Sequence, residues 1–122
     1  MKTLLSLALV AASIAAGPAF AACTYPKKPG PAPDGNIATL PEMQAAARGV
    51  RAFNDAIVAY QSCLEENHKA ALAADPSMPP EEIKKTQDIL NKKLDESSKE
   101  LDEIAALVNE QIRVYKTKNP SK

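Results

Sequence analysis

The chain has 122 residues, 45% of them hydrophobic, with 15 basic residues set against 15 acidic ones, a single histidine and no tryptophan. That length allows one domain at most. The charge balance argues against nucleic acid as a partner, because phosphate binding needs a basic surplus or a strongly basic face, and one histidine with two cysteines does not make a zinc site of the usual spacing.

Residues 1–21 read as a secretory signal. Lys2 supplies the basic start, Leu4 to Ala16 the apolar run, and Gly17-Pro18 breaks the helix before the small-residue stretch Ala19-Phe20-Ala21. The apolar run is shorter than the roughly 20 residues a permanent span requires. Cleavage is expected after Ala21 or Ala22, which places the mature chain in the periplasm or outside the cell. Without Lys2, 14 basic residues face 15 acidic ones.

Cys23 has two competing fates. Ala21-Ala22-Cys23 is similar to the site at which an outer-membrane lipoprotein is acylated, although Phe20 stands where an aliphatic residue is usual. A membrane association follows only in that case, and the chain would then be a lipid-anchored envelope spacer or stress-related protein. The other fate is a disulfide with Cys63, favoured by an even cysteine number in an exported chain. The two exclude each other, because lipidation leaves Cys63 as a lone thiol.

Residues 22–38 hold Pro26, Pro29, Pro31 and Pro33 together with Gly30 and Gly35, which excludes a helix and predicts extended polyproline-like chain with a turn at Pro33-Asp34-Gly35-Asn36. Thr39 then caps a first helix over about 40–74, with Glu42 as its capping-box partner and Pro41 tolerated in the first turn. Its apolar positions step by three and four through Met43, Ala46, Val50, Phe53, Ile57, Tyr60, Leu64 and Ala71. Gly49 interrupts this helix at a cost of about 1 kcal/mol relative to alanine, and close approach by another segment is the expected reason.

The breakers between Asp75 and Pro80 end the first helix, and a connection this short makes the next one antiparallel to it. A second helix is predicted over about 80–117, with the stripe Ile83, Gln87, Leu90, Leu94, Ser97, Leu101, Ile104, Val108, Gln111 and Tyr115. The acid-first pairs Glu81/Lys85, Asp88/Lys92 and Asp95/Lys99 should each add a few tenths of a kcal/mol, while the basic Arg113, Lys116 and Lys118 complement the helix C-terminus. Residues 119–122 form a frayed tail after Asn119-Pro120.

The fold class is therefore all-α: a long, coiled-coil-like antiparallel two-helix hairpin over 39–118 with an extended Pro-rich N-terminal strap. Ala45, Ala47, Val58, Ala105 and Leu107 flank the seam and call for further cover. From Thr39 back to Cys23 the extended chain reaches roughly 50 Å, whereas Cys63 lies roughly 36 Å along the helix, so the strap can fold back and close a Cys23–Cys63 bridge.

No nucleophile and base converge in this pattern. Glu65 and His68, one turn apart, read as a solvated polar patch, and Cys63 lacks the partner of a CxxC motif. No catalytic residue, metal or cofactor is assigned. Any binding must use helical surface, and Val50, Phe53, Ile57, Tyr60 and Leu64, on the seam or beside it, are the candidate contacts for a protein partner or a second copy.

Pro33-Asp34-Gly35, Glu42-Met43, Val50, Tyr60 and Cys63-Leu64 together resemble a group of small uncharacterised exported proteins of proteobacteria that share a PDG turn, an EM helix start and a Y-x-x-C-L helix segment. The resemblance covers about half of the mature chain. Phe53-Asn54 departs from the Tyr-Asn or Tyr-Gln pair expected there. It implies the same architecture and compartment, and no activity.

Overall fold

The structure is a computed structural model that describes residues 21–121. All of the expected signal except Ala21 lies outside the described residues. Two α-helices are the only regular elements among the described residues: α1, Leu40–Ala74, and α2, Pro80–Lys118.

The start of α1 is set locally. Thr39 Oγ1 accepts the Glu42 amide at 3.4 Å and Glu42 Oε2 accepts the Thr39 amide at 2.7 Å, so two backbone donors that the first turn leaves over are satisfied reciprocally. At the other end Asp75 caps α1 through its amide on the Ala71 carbonyl, 3.3 Å, and its carboxylate takes the Ser77 amide and hydroxyl. Five residues, 75–79, turn the chain over. Pro79 then opens α2 without a side-chain cap, with Pro80 at the first helical position, where no amide is needed, and Glu81 and Glu82 next to the positive helix end.

The helices pack antiparallel. His68 faces Gln87 (3.1 Å) near the closed end and Gln61 faces Ser97 (2.9 Å) further along. Met43, Phe53 and Ile57 from α1 meet Leu90, Ser97 and Val108 from α2 as the buried seam, and Ile57 retains 1% of its surface. Ala46, Val50, Tyr60, Leu64 and Ala71 are half-buried beside it. Ile83 and Gln87 depart from the predicted stripe by being exposed. They belong to the closed end of the hairpin, beyond the reach of the strap, where two helices alone cannot cover a full apolar stripe.

The surface charge also departs from expectation. The i,i+4 ion pairs formed are Lys84–Asp88, Lys92–Glu96 and Lys99–Glu103, with the base first, in place of the acid-first pairs. Lys92 and Lys99 each stand between an acid one turn before and one turn after, and such exposed pairs differ by only a few tenths of a kcal/mol. Arg113 pairs with Glu110 through two hydrogen bonds of 2.9 and 2.6 Å, which holds the Glu110 carboxyl below its usual range. Lys116 and Lys118 occupy the last turn of α2.

Candidate functional site

The residues with the most specific geometry surround the strap. Cys23 is bonded to Cys63, with Cα atoms 5.7 Å apart across 40 positions of sequence. Two residues on, the ring of Tyr25 stands edge-on to Tyr60, with centroids 5.0 Å apart. The Tyr25 hydroxyl donates to the Glu100 carboxylate, which Lys28 also engages. The strap thus crosses from α1 to α2 within six residues and lies in the groove between them.

Further along, Pro29, Pro31 and Pro33 lie over Ala45, Ala46 and Gly49 on one wall and Val108 on the other, with Ile104 and Leu107 also beside Pro31. Asp34 forms the predicted turn: its carbonyl accepts the amides of Ile37 (3.1 Å) and Ala38 (2.8 Å), and its carboxylate accepts the Asn36 amide at 2.9 Å. Hydrogen bonds to that carboxylate from the Asn36 backbone amide, then from its side-chain amide, hold the Asp34 carboxyl below its ordinary range.

The glycines correct the sequence reading. A Cβ on Gly49 would sit 3.5 Å from the Pro29 ring, an ordinary contact, so the strap does approach there but does not require glycine. Gly35 is the position that does. It is buried against the last turns of α2, where a Cβ would collide with the Gln111 carbonyl oxygen and lie 2.8 Å from the Tyr115 nitrogen. Its amide donates to Gln111 Oε1 at 2.8 Å. Its backbone φ is not positive, so close approach is what selects glycine.

The electrostatics centre on Glu100. Ionic hydrogen bonding from Lys28, then Tyr25, holds its carboxyl below the usual range. Burial, reinforced by the bond to Glu100, pushes the Tyr25 phenol up to about 12. A second polar cluster lies inside the seam: Gln61 Nε2 donates to Ser97 Oγ and Ser98 Oγ, both at 2.9 Å, and Ser97 Oγ donates to the Leu94 carbonyl at 2.9 Å. No buried side-chain polar atom among the described residues is left unpartnered. This polar layer pairs one level of α1 with one level of α2 and so sets the register of the hairpin.

Of the candidate contact residues, Phe53 and Ile57 are enclosed between the helices and cannot meet a partner while the hairpin is intact. Tyr60 is half-buried under Tyr25, and Val50 and Leu64 are half-buried beside the seam. The exposed apolar side chains are others, among them Leu40 and Val58, each 52% exposed, and Leu107, 63% exposed. Burial follows from a seam that both helices share, and a stripe read one helix at a time does not show which of its edges stays open. Gln61 and Glu100 were missed as partners for the same reason, and Gln111, which the predicted stripe includes, bonds the strap at Gly35. Gln61 lies one turn after Ile57, the only signal that places it at the seam.

Glu65 lies exposed, and His68 turns to Gln87. Among the described residues no group of three or more His, Cys, Asp or Glu side chains is arranged to hold a metal ion, and no described helix is long and apolar enough to cross a membrane. No protein-family model, curated protein or solved structure matches the chain.

Proposed function

We propose that this chain is an exported, non-catalytic interaction protein that acts through helical surface, with the hairpin held together by the Cys23–Cys63 disulfide. The exported compartment is supported by that bond, since disulfides persist in oxidising surroundings, together with the signal-like residues 1–21. The bond uses the sulfur that a thioether-linked lipid would need, so the anchored alternative and the strapped form exclude each other. The mass of the mature chain under non-reducing conditions distinguishes them, and an acylated Cys23 would rule out the strapped form.

The observation that carries the interaction reading is the unequal covering of the two grooves. The strap lies along one. The other is lined by Leu40, Ala47 and Ile112 around a cleft of about 400 Å³ edged by Gln44 and Lys116, then by Val50, Leu101 and Ala105 with Arg51, Asp55 and Asp102 at its rim, and helical spacing adds the exposed Val58. Its occupant in this reading is a second copy: two such grooves packed face to face make a four-helix bundle, in which each hairpin supplies the cover that the other lacks. Sedimentation across a concentration series tests it. Self-association that Val58→Asp weakens is the expected result, and a strict monomer at every concentration would overturn it.

A further inference from the structure

We infer that the Cys23–Cys63 disulfide is a releasable latch, and that its reduction lets the N-terminal strap swing off the helix pair while the hairpin stays folded. The inference is independent of what packs on the opposite groove.

Three observations carry it. The first is how the strap is held. Among the described residues no backbone–backbone hydrogen bond joins it to either helix. Between Cys23 and Pro33 the noncovalent polar anchors are the Tyr25 and Lys28 contacts on one carboxylate, Glu100, and the Asn67 amide of α1 on Cys23 Sγ. Lys28 is mostly exposed, and exposed ion pairs of this kind hold weakly. A segment with no backbone ladder to its neighbours can open locally without global unfolding.

The second is the asymmetry of its two ends. At the far end Gly35 is buried against α2 and bonded to Gln111, and the Asp34 turn follows at once. The near end is fixed by the disulfide, with one side-chain hydrogen bond beside it, from Asn67 Nδ2 to the Ala21 carbonyl at 2.5 Å. Breaking that bond leaves a strap of about ten residues pivoting at Asp34-Gly35, while the helix-to-helix seam through Phe53, Ile57, Leu90 and Ser97 stays in place. The side of the groove formed by Tyr60, Ile104 and Val108 is then uncovered.

The third is the setting of the sulfur. Both cysteines are only half-buried, and Asn67 Nδ2 donates toward Cys23 Sγ at 3.2 Å. A donor in that position stabilises the Cys23 thiolate, which makes it the better leaving group in exchange. The reductant is a dithiol. Its first thiolate attacks Cys63 Sγ, the Cys23–Cys63 bond breaks and Cys23 leaves with the electron pair as thiolate. The second dithiol sulfur, once deprotonated, attacks the mixed disulfide and releases Cys63, so the dithiol becomes a disulfide and the protein gains two electrons and, on protonation, two protons.

The test uses the intact oxidised protein and dithiothreitol, followed by nuclear magnetic resonance. On reduction the Tyr25–Tyr60 ring contact is expected to vanish, while the Gln61–Ser97 and His68–Gln87 contacts and the helical carbon shifts of α1 and α2 persist. Cys63→Ser should give the same open form without reductant. Asn67→Ala should slow reduction of the oxidised protein a few-fold without altering its helical shifts. Two results would overturn the inference: a Tyr25–Tyr60 contact that survives reduction and the Cys63→Ser change, or helical shifts that collapse together with it, which would make the bond a global staple.

Discussion

Gly35, on the strap against α2, and Gly49, on α1 under the strap, are both glycines where strap and helix meet, yet substitution by alanine should move stability in opposite directions. At Gly35 the added methyl meets α2 backbone at Gln111 and Tyr115 and the Val114 Cβ at 3.0 Å. Hydrogen-bonded helix backbone yields little, so the strap must lift and the 2.8 Å bond from Gly35 to Gln111 is lost. Overpacking costs typically 1–3 kcal/mol and the lost hydrogen bond about 1, while the stiffer unfolded chain returns roughly 0.4–1. The net expectation is a loss of about 2 kcal/mol, or on the order of 10 °C in Tm for a domain of this size.

At Gly49 the nearest neighbour to an added methyl is the Pro29 ring at 3.5 Å. Nothing has to move, and the helix gains about 0.5–1 kcal/mol because alanine loses less backbone freedom. Urea unfolding followed by circular dichroism measures both. If Gly35→Ala matched the parent, the strap would not seat against α2 as described, and if Gly49→Ala were destabilising, the strap would lie closer to α1 than the Pro29 contact shows.

Three further outcomes follow from the same geometry. Removing the bridge with Cys23→Ser and Cys63→Ser releases a loop of 40 residues and should lower the unfolding free energy by less than the chain-entropy value of about 3–4 kcal/mol, because the freed strap regains part of that entropy while the hairpin is still folded. Denaturant titration of the oxidised parent against the double variant reads the difference. Ile57→Ala should cost about 2–5 kcal/mol, because the side chain is enclosed at 1% exposure, while Val58→Ala, one position on and half exposed, should change urea stability little. The pH dependence has two limbs. Glu100 is depressed when folded, so its contribution is present above its unfolded value and lost as pH falls through the folded one. Glu100→Gln should therefore flatten the acid limb. Tyr25 is raised, so folding favours its neutral form and the contribution fades as pH climbs from 10.0 toward about 12. Ultraviolet titration of the three tyrosines should show one phenol ionising last, and Glu100→Gln should bring it down.

Much of the fold was legible because it is local. Thr39 and Glu42 announce a capping box three residues apart, Asp34 a side-chain-closed turn, and 75–79 a reversal, and each depends on neighbours in sequence. The three-and-four spacing of Met43, Phe53 and Ile57 likewise marks a buried face. Parity and spacing also allowed the Cys23–Cys63 bridge, since an extended strap outreaches a helix of the intervening length.

What only the tertiary structure decided is how those elements meet. Gly49 looked like the point of closest approach because it is a glycine inside a helix, but Gly35 is the one pressed against backbone, on α2, 76 positions from Gln111. Gln61 looked like surface until α2 brought Ser97 to it, and Glu100 looked like one of many solvated acids until Tyr25 and Lys28 reached it. The amino-acid sequence determined the helices, their ends and the chain length available to the strap, because these follow from spacing along one segment. Which groove the strap occupies, and therefore which groove stays open, depends on distances between segments far apart in sequence, and those exist only once the chain has folded.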